Sequence, residues 1–234
     1  MMLMTSRTFL RRYRKVALAV VFCGAEAFAQ QGGRAVGTYS PDIDPESHFR
    51  LPLVQRENLD DVGKRVYDDT VKPGTRSVAG LRGPTGIRLY SPKIAELTNQ
   101  MGYGIRFESS IPDELRELVI LSTARELNNQ FEWTAHEPIA LKLGVPQKTV
   151  DVIKYRYSTI GLPEKQDLII RLTREVFRNR KVQSDTFARA RKAFGEKELV
   201  NIVALAGYYS STAVLLDVFD MQIEPDQKPL LPLP

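Results

Sequence analysis

Three residues in the middle of the chain carry side chains that exchange protons, and their spacing lets them meet. His136 is one of two histidines in the 234-residue sequence, and imidazole is the side chain that titrates nearest neutrality. Glu132 precedes it by four residues, so on a helix its carboxylate can orient the ring. Glu117 belongs to an earlier, apolar segment, where a buried carboxylate needs a partner or a raised pKa. We predict a catalytic acid/base set; the alternatives are a surface ion pair and a half-exposed acid at a helix N-terminus.

Other kinds of site are not supported by the sequence. Its two histidines are far apart, it has one cysteine, and its acidic residues do not cluster with the spacing of metal ligands. Neither a glycine-rich phosphate loop nor a Gly-x-Ser-x-Gly elbow occurs. We therefore expect no metal and no cofactor.

Residues 1–29 are predicted to be an export signal. Five basic residues precede an apolar run from Val16 to Phe22, and Ala27-Phe28-Ala29 follows, which is typical of a cleaved signal peptide. The run is too short to span a bilayer, which takes about 20 residues. We expect a periplasmic or secreted protein that loses Cys23 with its signal and retains no membrane span.

Removal of this segment also changes the charge balance. The whole chain has 33 basic and 28 acidic residues, and residues 1–29 contain five basic and one acidic residue, which leaves 28 and 27. The high isoelectric point therefore belongs largely to the export signal. A basic surface that would favour nucleic acid is not expected.

The elements that must position these three residues are predicted to be helices. Apolar residues recur with helical periodicity through most of the chain, and no convincing alternation of apolar and polar residues indicates a strand. Gly144 and Gly195 are predicted to be left-handed helix caps. Residues 76–87 are predicted to form a glycine-rich loop, which is a lid, a binding element or a plain linker. The uncharged run 199–216 favours a core helix at a subunit contact over a membrane span. The predicted helices cover about 60–70, 92–103, 112–127, 130–143, 147–158, 163–179, 185–194 and 196–219.

The segment from Glu114 to Gly144, which includes ELVILSTARELNNQFEWTAH, resembles the carboxymuconolactone decarboxylase superfamily. Glu117 and His136 stand where the alkylhydroperoxidase D-like (AhpD-like) thiol peroxidases of that superfamily carry a Glu and a His. Asn129 and Glu132 occupy the positions of their two cysteines. The resemblance covers residues 83–219 and implies an all-α, AhpD-like helical bundle that self-associates as a trimer or hexamer.

The resemblance also implies how the chain is divided. Residues 83–221 are the expected carboxymuconolactone decarboxylase-like domain. An N-terminal arm with an accessory helix, residues 30–82, precedes it, as a tether or a surface-wrapping segment. A proline-rich tail, residues 222–234, follows it and cannot continue a helix.

Without the two thiols, peroxide reduction lacks its nucleophile, so the resemblance implies the decarboxylase-like branch. We expect a cofactor-free lyase or isomerase that acts on a small carboxylated lactone or unsaturated acid. His136 would deliver a proton to carbon, and Glu117 or Glu132 would set its protonation. Two alternatives stay open: a peroxidase of the same superfamily, and a non-catalytic oligomeric protein that binds a small ligand.

Four further residues are expected to contact the substrate. Arg125 matches an arginine of decarboxylase-like members and would hold a carboxylate, although an ion pair also explains it. Asn129 with Glu132 fits a capping box that starts the helix carrying His136. Trp133 fits core packing as well as ligand contact. Tyr208 belongs to a Gly-Tyr-Tyr segment of the late helix and is expected to line the pocket.

Overall fold

The computed structural model describes residues 39–233, so the predicted export signal, Cys23 and the first part of the arm lie outside the described residues. Within this range every regular element is helical, which confirms the all-α prediction. A 3-10 turn covers Arg56–Asn58, and two π-helical turns cover Gly104–Glu108 and Glu175–Asn179. The α-helices are α1 (Asp61–Val71), α2 (Pro84–Arg88), α3 (Pro92–Tyr103), α4 (Asp113–Glu126), α5 (Gln130–Lys142), α6 (Gln147–Lys154), α7 (Glu164–Arg174) and α8 (Ser184–Val218).

The helix boundaries agree with the local signals in the sequence, with two differences. Gly144 and Gly195 have the predicted left-handed backbone, with φ of 90° and 76°, and Gly195 interrupts α8. Helix α6 ends at Lys154, earlier than predicted, because Arg156 takes a left-handed φ of 57°. Helix α2 lies inside the predicted loop, since five residues are too few to produce a helical period.

Helix α4 is the centre of the bundle. Every residue from Leu115 to Arg125 is buried, and the helix packs against α5, α6, α7 and α8. A helix that is apolar nearly all round can be buried on all sides, and each fully buried Leu or Ile stabilises the fold by about 1.5–3 kcal/mol. The polar residues of α4 are therefore held inside the protein and need partners there.

Helix α8 covers one side of α4 and α7. Its inward face buries Ile202, Leu205, Tyr209 and Leu216, as expected for a core helix. The helix is also long and apolar enough to cross a membrane when judged by length and composition alone. Its buried face places Tyr209 next to α5.

Both ends of the described chain pack against the bundle. Phe49 is completely buried in a cluster with Ile87, Leu216 and Met221, and the backbone amide of Arg50 donates to the carbonyl of Phe219 at 3.0 Å. Of the two alternatives for the arm, residues 39–54 agree with a segment that wraps the surface of the domain.

Candidate active site

A buried hydrogen bond joins His136 to Glu117. The ring Nδ1 lies 2.7 Å from Glu117 Oε2, and the two residues are 3% and 1% exposed. This arrangement excludes the alternatives of a surface ion pair and a half-exposed acid. Arg116 Nε lies 3.5 Å from the other carboxylate oxygen, Oε1. The carboxylate thus fixes the orientation of the ring.

A tight turn between α4 and α5 brings these two residues together. Asn128 has a left-handed φ of 56°, and the amide of Asn129 donates to the carbonyl of Ala124 at 2.8 Å, which is a Schellman end for α4. Asn129 then caps α5, because its side-chain oxygen accepts from the amide of Glu132 at 2.9 Å. The two helices are therefore antiparallel neighbours, with Glu117 facing His136.

The other ring nitrogen faces two further titratable groups. His136 Nε2 lies 3.4 Å from Glu132 Oε2 and 3.4 Å from the Tyr209 hydroxyl. Burial raises the pKa of Glu132, although the charges of His136, Arg106 and Arg88 act in the opposite direction. Burial also raises the pKa of Tyr209 well above its ordinary value. The Tyr209 phenol therefore stays protonated and can donate a hydrogen bond.

The carboxylate of Glu132 is turned towards the histidine. In a complete capping box it would return to the backbone amide of Asn129, but that amide is bonded to Ala124. Only the Asn129 half of the predicted box is present. Glu132 is left free to act on the imidazole.

The Nε2 side of the ring opens into a cleft of about 930 Å³ that is partly open to solvent. Glu117 does not line this cleft, so the carboxylate supports the ring from behind. Residues 72–79, between α1 and α2, form part of its wall, in line with the binding-element alternative for that loop. Next to the histidine the lining residues are Arg88, Arg106, Phe131, Glu132, Ala135, Tyr208, Tyr209 and Thr212.

Two of the arginines that line the cleft, Arg88 and Arg106, lie near Glu132 and His136 and were not predicted from the sequence. Arg88 is buried and donates to Thr212 Oγ1 at 2.7 Å and to the Tyr208 hydroxyl at 3.4 Å. Arg106 has a buried Nε without a hydrogen-bond partner among residues 39–233. Arg88 follows the predicted glycine-rich loop, whose interpretation as a binding element was the only available signal. Arg106 lies in the π-helical turn after α3, which has no recognisable sequence pattern.

Arg125 does not lie in the cleft lining. Its Nη1 donates to Asn128 Oδ1 at 2.7 Å, and burial lowers the pKa of Arg125, as does the charge of Arg156. The reason is distance along the helix: eight residues after Glu117, the chain has advanced about 12 Å along α4. Among residues 39–233 Arg125 makes no salt bridge, since the Glu126 carboxylate pairs with other arginines. Its position therefore supports neither the ion-pair alternative nor a carboxylate clamp at His136.

The other predicted contact residues divide between cleft and core. Tyr208 lines the cleft, whereas Asn129 and Trp133 do not. Trp133 is completely buried, and its Nε1 donates to Glu137 Oε2 at 2.5 Å. Within residues 39–233 no three His, Cys, Asp or Glu side chains are grouped so that they could hold a metal ion.

Comparison with known proteins agrees with this arrangement. A sequence model described as the carboxymuconolactone decarboxylase family matches residues 92–172, the segment that includes Glu117, Glu132 and His136. No curated protein matches the chain.

A solved structure from Ralstonia eutropha JMP134 has a similar fold. It is described as an alkylhydroperoxidase AhpD core and an uncharacterized peroxidase-related protein. It superposes with a TM-score of 0.61 at 14% identity, over 76% of this chain and 93% of that one. At this identity the likeness concerns the fold alone. Residues 92–172 are thus similar to the carboxymuconolactone decarboxylase family, and the all-α fold is AhpD-like.

Proposed function

We propose that this protein is a cofactor-free acid/base enzyme of the decarboxylase-like branch, a lyase or isomerase for a small carboxylated lactone or unsaturated acid. The observation that carries the proposal is the buried Glu117–His136 pair, whose free ring nitrogen lies at the cleft beside Glu132 and Tyr209. A general acid must be oriented and must reach its substrate. Both conditions hold for His136.

The chemistry that follows is a proton transfer to carbon. In the lyase reaction the bond to the departing carboxylate breaks, its electron pair moves onto a conjugated carbonyl, and carbon dioxide leaves. His136 then delivers a proton from Nε2 to the substrate carbon as the enolate collapses. Glu132, whose pKa is raised by burial, can return a proton to the ring. An isomerase would use the same groups to move a proton between two carbons.

Two donors are available for the enolate oxygen. The protonated Tyr209 phenol and the Arg88 guanidinium both line the cleft, and fixed donors of this kind stabilise charge that develops in the transition state. Arg88 is held by Thr212 and Tyr208, so it needs little reorganisation when the charge appears.

The test is turnover of a panel of carboxylated lactones and unsaturated acids by the purified protein and two variants. We expect His136→Ala and Glu117→Gln each to lower turnover by about 100-fold or more, because the first removes the acid and the second removes the charge that supports it. Circular dichroism would establish that both variants are folded.

A matched control is His48→Asn, which removes the other histidine. His48 has a left-handed φ of 65°, a conformation that Asn tolerates, and it does not line the cleft. This variant should keep full turnover. Activity unchanged in His136→Ala would refute the proposal, and so would peroxide-dependent turnover by the wild type, which favours the peroxidase alternative. Unchanged ligand affinity without turnover would favour the binding protein.

A further inference from the structure

A second cavity of about 340 Å³ adjoins the cleft and is rich in arginine. Arg76, Arg106 and Arg116 line it, together with Phe107. Arg76, Arg106 and Phe107 also line the main cleft, so the two spaces share a wall. None of these four residues was singled out by the sequence.

The three guanidinium groups surround one aromatic ring. The Cζ atoms of Arg76, Arg106 and Arg116 lie 4.5, 4.7 and 5.6 Å from the centroid of the Phe107 ring. Attraction to an aromatic ring holds a cation in place but does not neutralise it. The positive charge must therefore be balanced by something else.

Among residues 39–233, Arg116 is the one of these three arginines with a carboxylate within 4.0 Å. Arg116 Nη1 lies 2.5 Å from Asp113 Oδ1, and its Nε approaches Glu117. Arg76 and Arg106 have no carboxylate within 4.0 Å among residues 39–233, and the buried Nε of Arg106 lacks an acceptor. A buried donor without an acceptor is costly, and the planar guanidinium fork matches an oxyanion.

We propose that Arg76 and Arg106 form a binding site for an oxyanion, a carboxylate or a phosphate group. The oxyanion is either a free ion or an acidic end group of a molecule whose reacting part lies at His136. The second form deepens the proposed function and rests on it, because it requires the cleft to hold the same molecule. Arg76 is exposed and belongs to the loop of residues 72–79, so the ligand would also fasten that loop to the π-helical turn that carries Arg106.

The test is calorimetric titration of the full-length protein with three probes: inorganic phosphate, glutarate, and butyrate as the matched monoacid. Arg76→Met and Arg106→Met are expected to weaken the binding of phosphate, or of glutarate, by about 10-fold each, through the loss of a charge-assisted hydrogen bond. The single carboxylate of butyrate can occupy the arginine site or the His136 end of the cleft but not both, so butyrate should bind the wild type more weakly than glutarate does. Arg191→Met is the control, because it removes an exposed arginine that lines neither cavity.

The probes distinguish the two sources. If glutarate binds the wild type more tightly than butyrate does, and the two bind Arg76→Met equally, the oxyanion is an end group of the molecule in the cleft. Phosphate binding that depends on Arg76, without an advantage for glutarate, indicates a free ion. The proposal is overturned if each probe binds the wild type, Arg76→Met and Arg106→Met with equal affinity. It is also overturned if neither phosphate nor glutarate binds the wild type. Titration measures binding and does not require turnover. The result can therefore be interpreted even if the protein turns over none of the lactones or unsaturated acids.

Discussion

At the scale of the residue, His136 has different surroundings on its two sides. Nδ1 is bonded to the fully buried Glu117, whereas Nε2 faces Glu132 and Tyr209 at the cleft. The two carboxylates differ as well: Glu117 has Arg116 beside it, and Glu132 has a pKa raised by burial. Carboxylates in unlike surroundings can take different roles around one imidazole, here support and proton return.

The raised pKa of Glu132 predicts a dependence of stability on pH. The native carboxyl binds its proton more tightly than the unfolded one, so its stabilising effect is present below the ordinary glutamate range and is lost as pH rises through the raised native pKa. Glu132→Gln does not titrate. The free energy of unfolding of the wild type, relative to this variant, should therefore be lower at a pH above the raised native pKa than at about pH 4, in the ordinary glutamate range.

Urea unfolding of both proteins at the two pH values measures this difference, and groups common to both cancel. A difference that stays flat, or that rises with pH, would show that burial does not dominate the titration of Glu132.

At the scale of the element, the short helix α2 decides where Arg88 lies. Gly86 is buried in this helix, and a Cβ there would overlap the backbone carbonyl of Leu81. The helix and the preceding loop are thus in direct backbone contact. Arg88, two residues further, is placed by that contact against α8.

Gly86→Ala should therefore destabilise the protein by about 1–3 kcal/mol, because overpacking forces the backbone to move. It should also weaken ligand binding in the cleft, since Arg88 moves with the helix. Gly207→Ala is the matched control: nothing lies within 4 Å of its added Cβ on the exposed face of α8. Alanine at that helical position should stabilise by about 0.5–1 kcal/mol. Denaturant unfolding measures both; a cost of the same size in the two variants would contradict the argument.

At the scale of the whole molecule, the arm and the tail belong to the packed structure. Phe49 lies in a cluster with residues of α2 and α8, and Leu231 is buried in the main core. The arm therefore helps to hold the elements that carry Arg88 and Tyr209. Export, and self-association as a trimer or hexamer, remain predictions; light scattering of the purified protein tests the second.

Phe49→Ala should destabilise the whole protein by about 3–5 kcal/mol, the usual cost of removing a buried phenyl ring. Leu233→Ala is a suitable control, because Leu233 is 51% exposed and a surface change there should stay within about 0.5 kcal/mol. Thermal and urea unfolding measure the loss. A Phe49→Ala protein as stable as the wild type would mean that the arm is only laid on the surface.

Much of the site was accessible from the sequence because its signals are local. Glu132 and His136 share a helical face by spacing alone, and the apolar surroundings of Glu117 required a partner. Arg125 shows the limit of such reasoning, since it has a suitable side chain on the same helix as Glu117 but lies outside the cleft lining. Arg88 and Arg106 lie in a five-residue helix and a π-helical turn, which leave no periodic pattern.

Local sequence patterns were enough to predict the helices of eight or more residues, the left-handed breaks at Gly144 and Gly195, and the two acids and one imidazole of the site. These follow from interactions within a few residues, where spacing fixes geometry. Tertiary packing alone places the Tyr209 hydroxyl of α8 beside His136 and Arg88 of α2 in the same cleft. It also leaves Arg125 outside that cleft and gathers three arginines around Phe107. Contacts between residues far apart in the chain depend on how whole helices pack, and no local pattern records that packing.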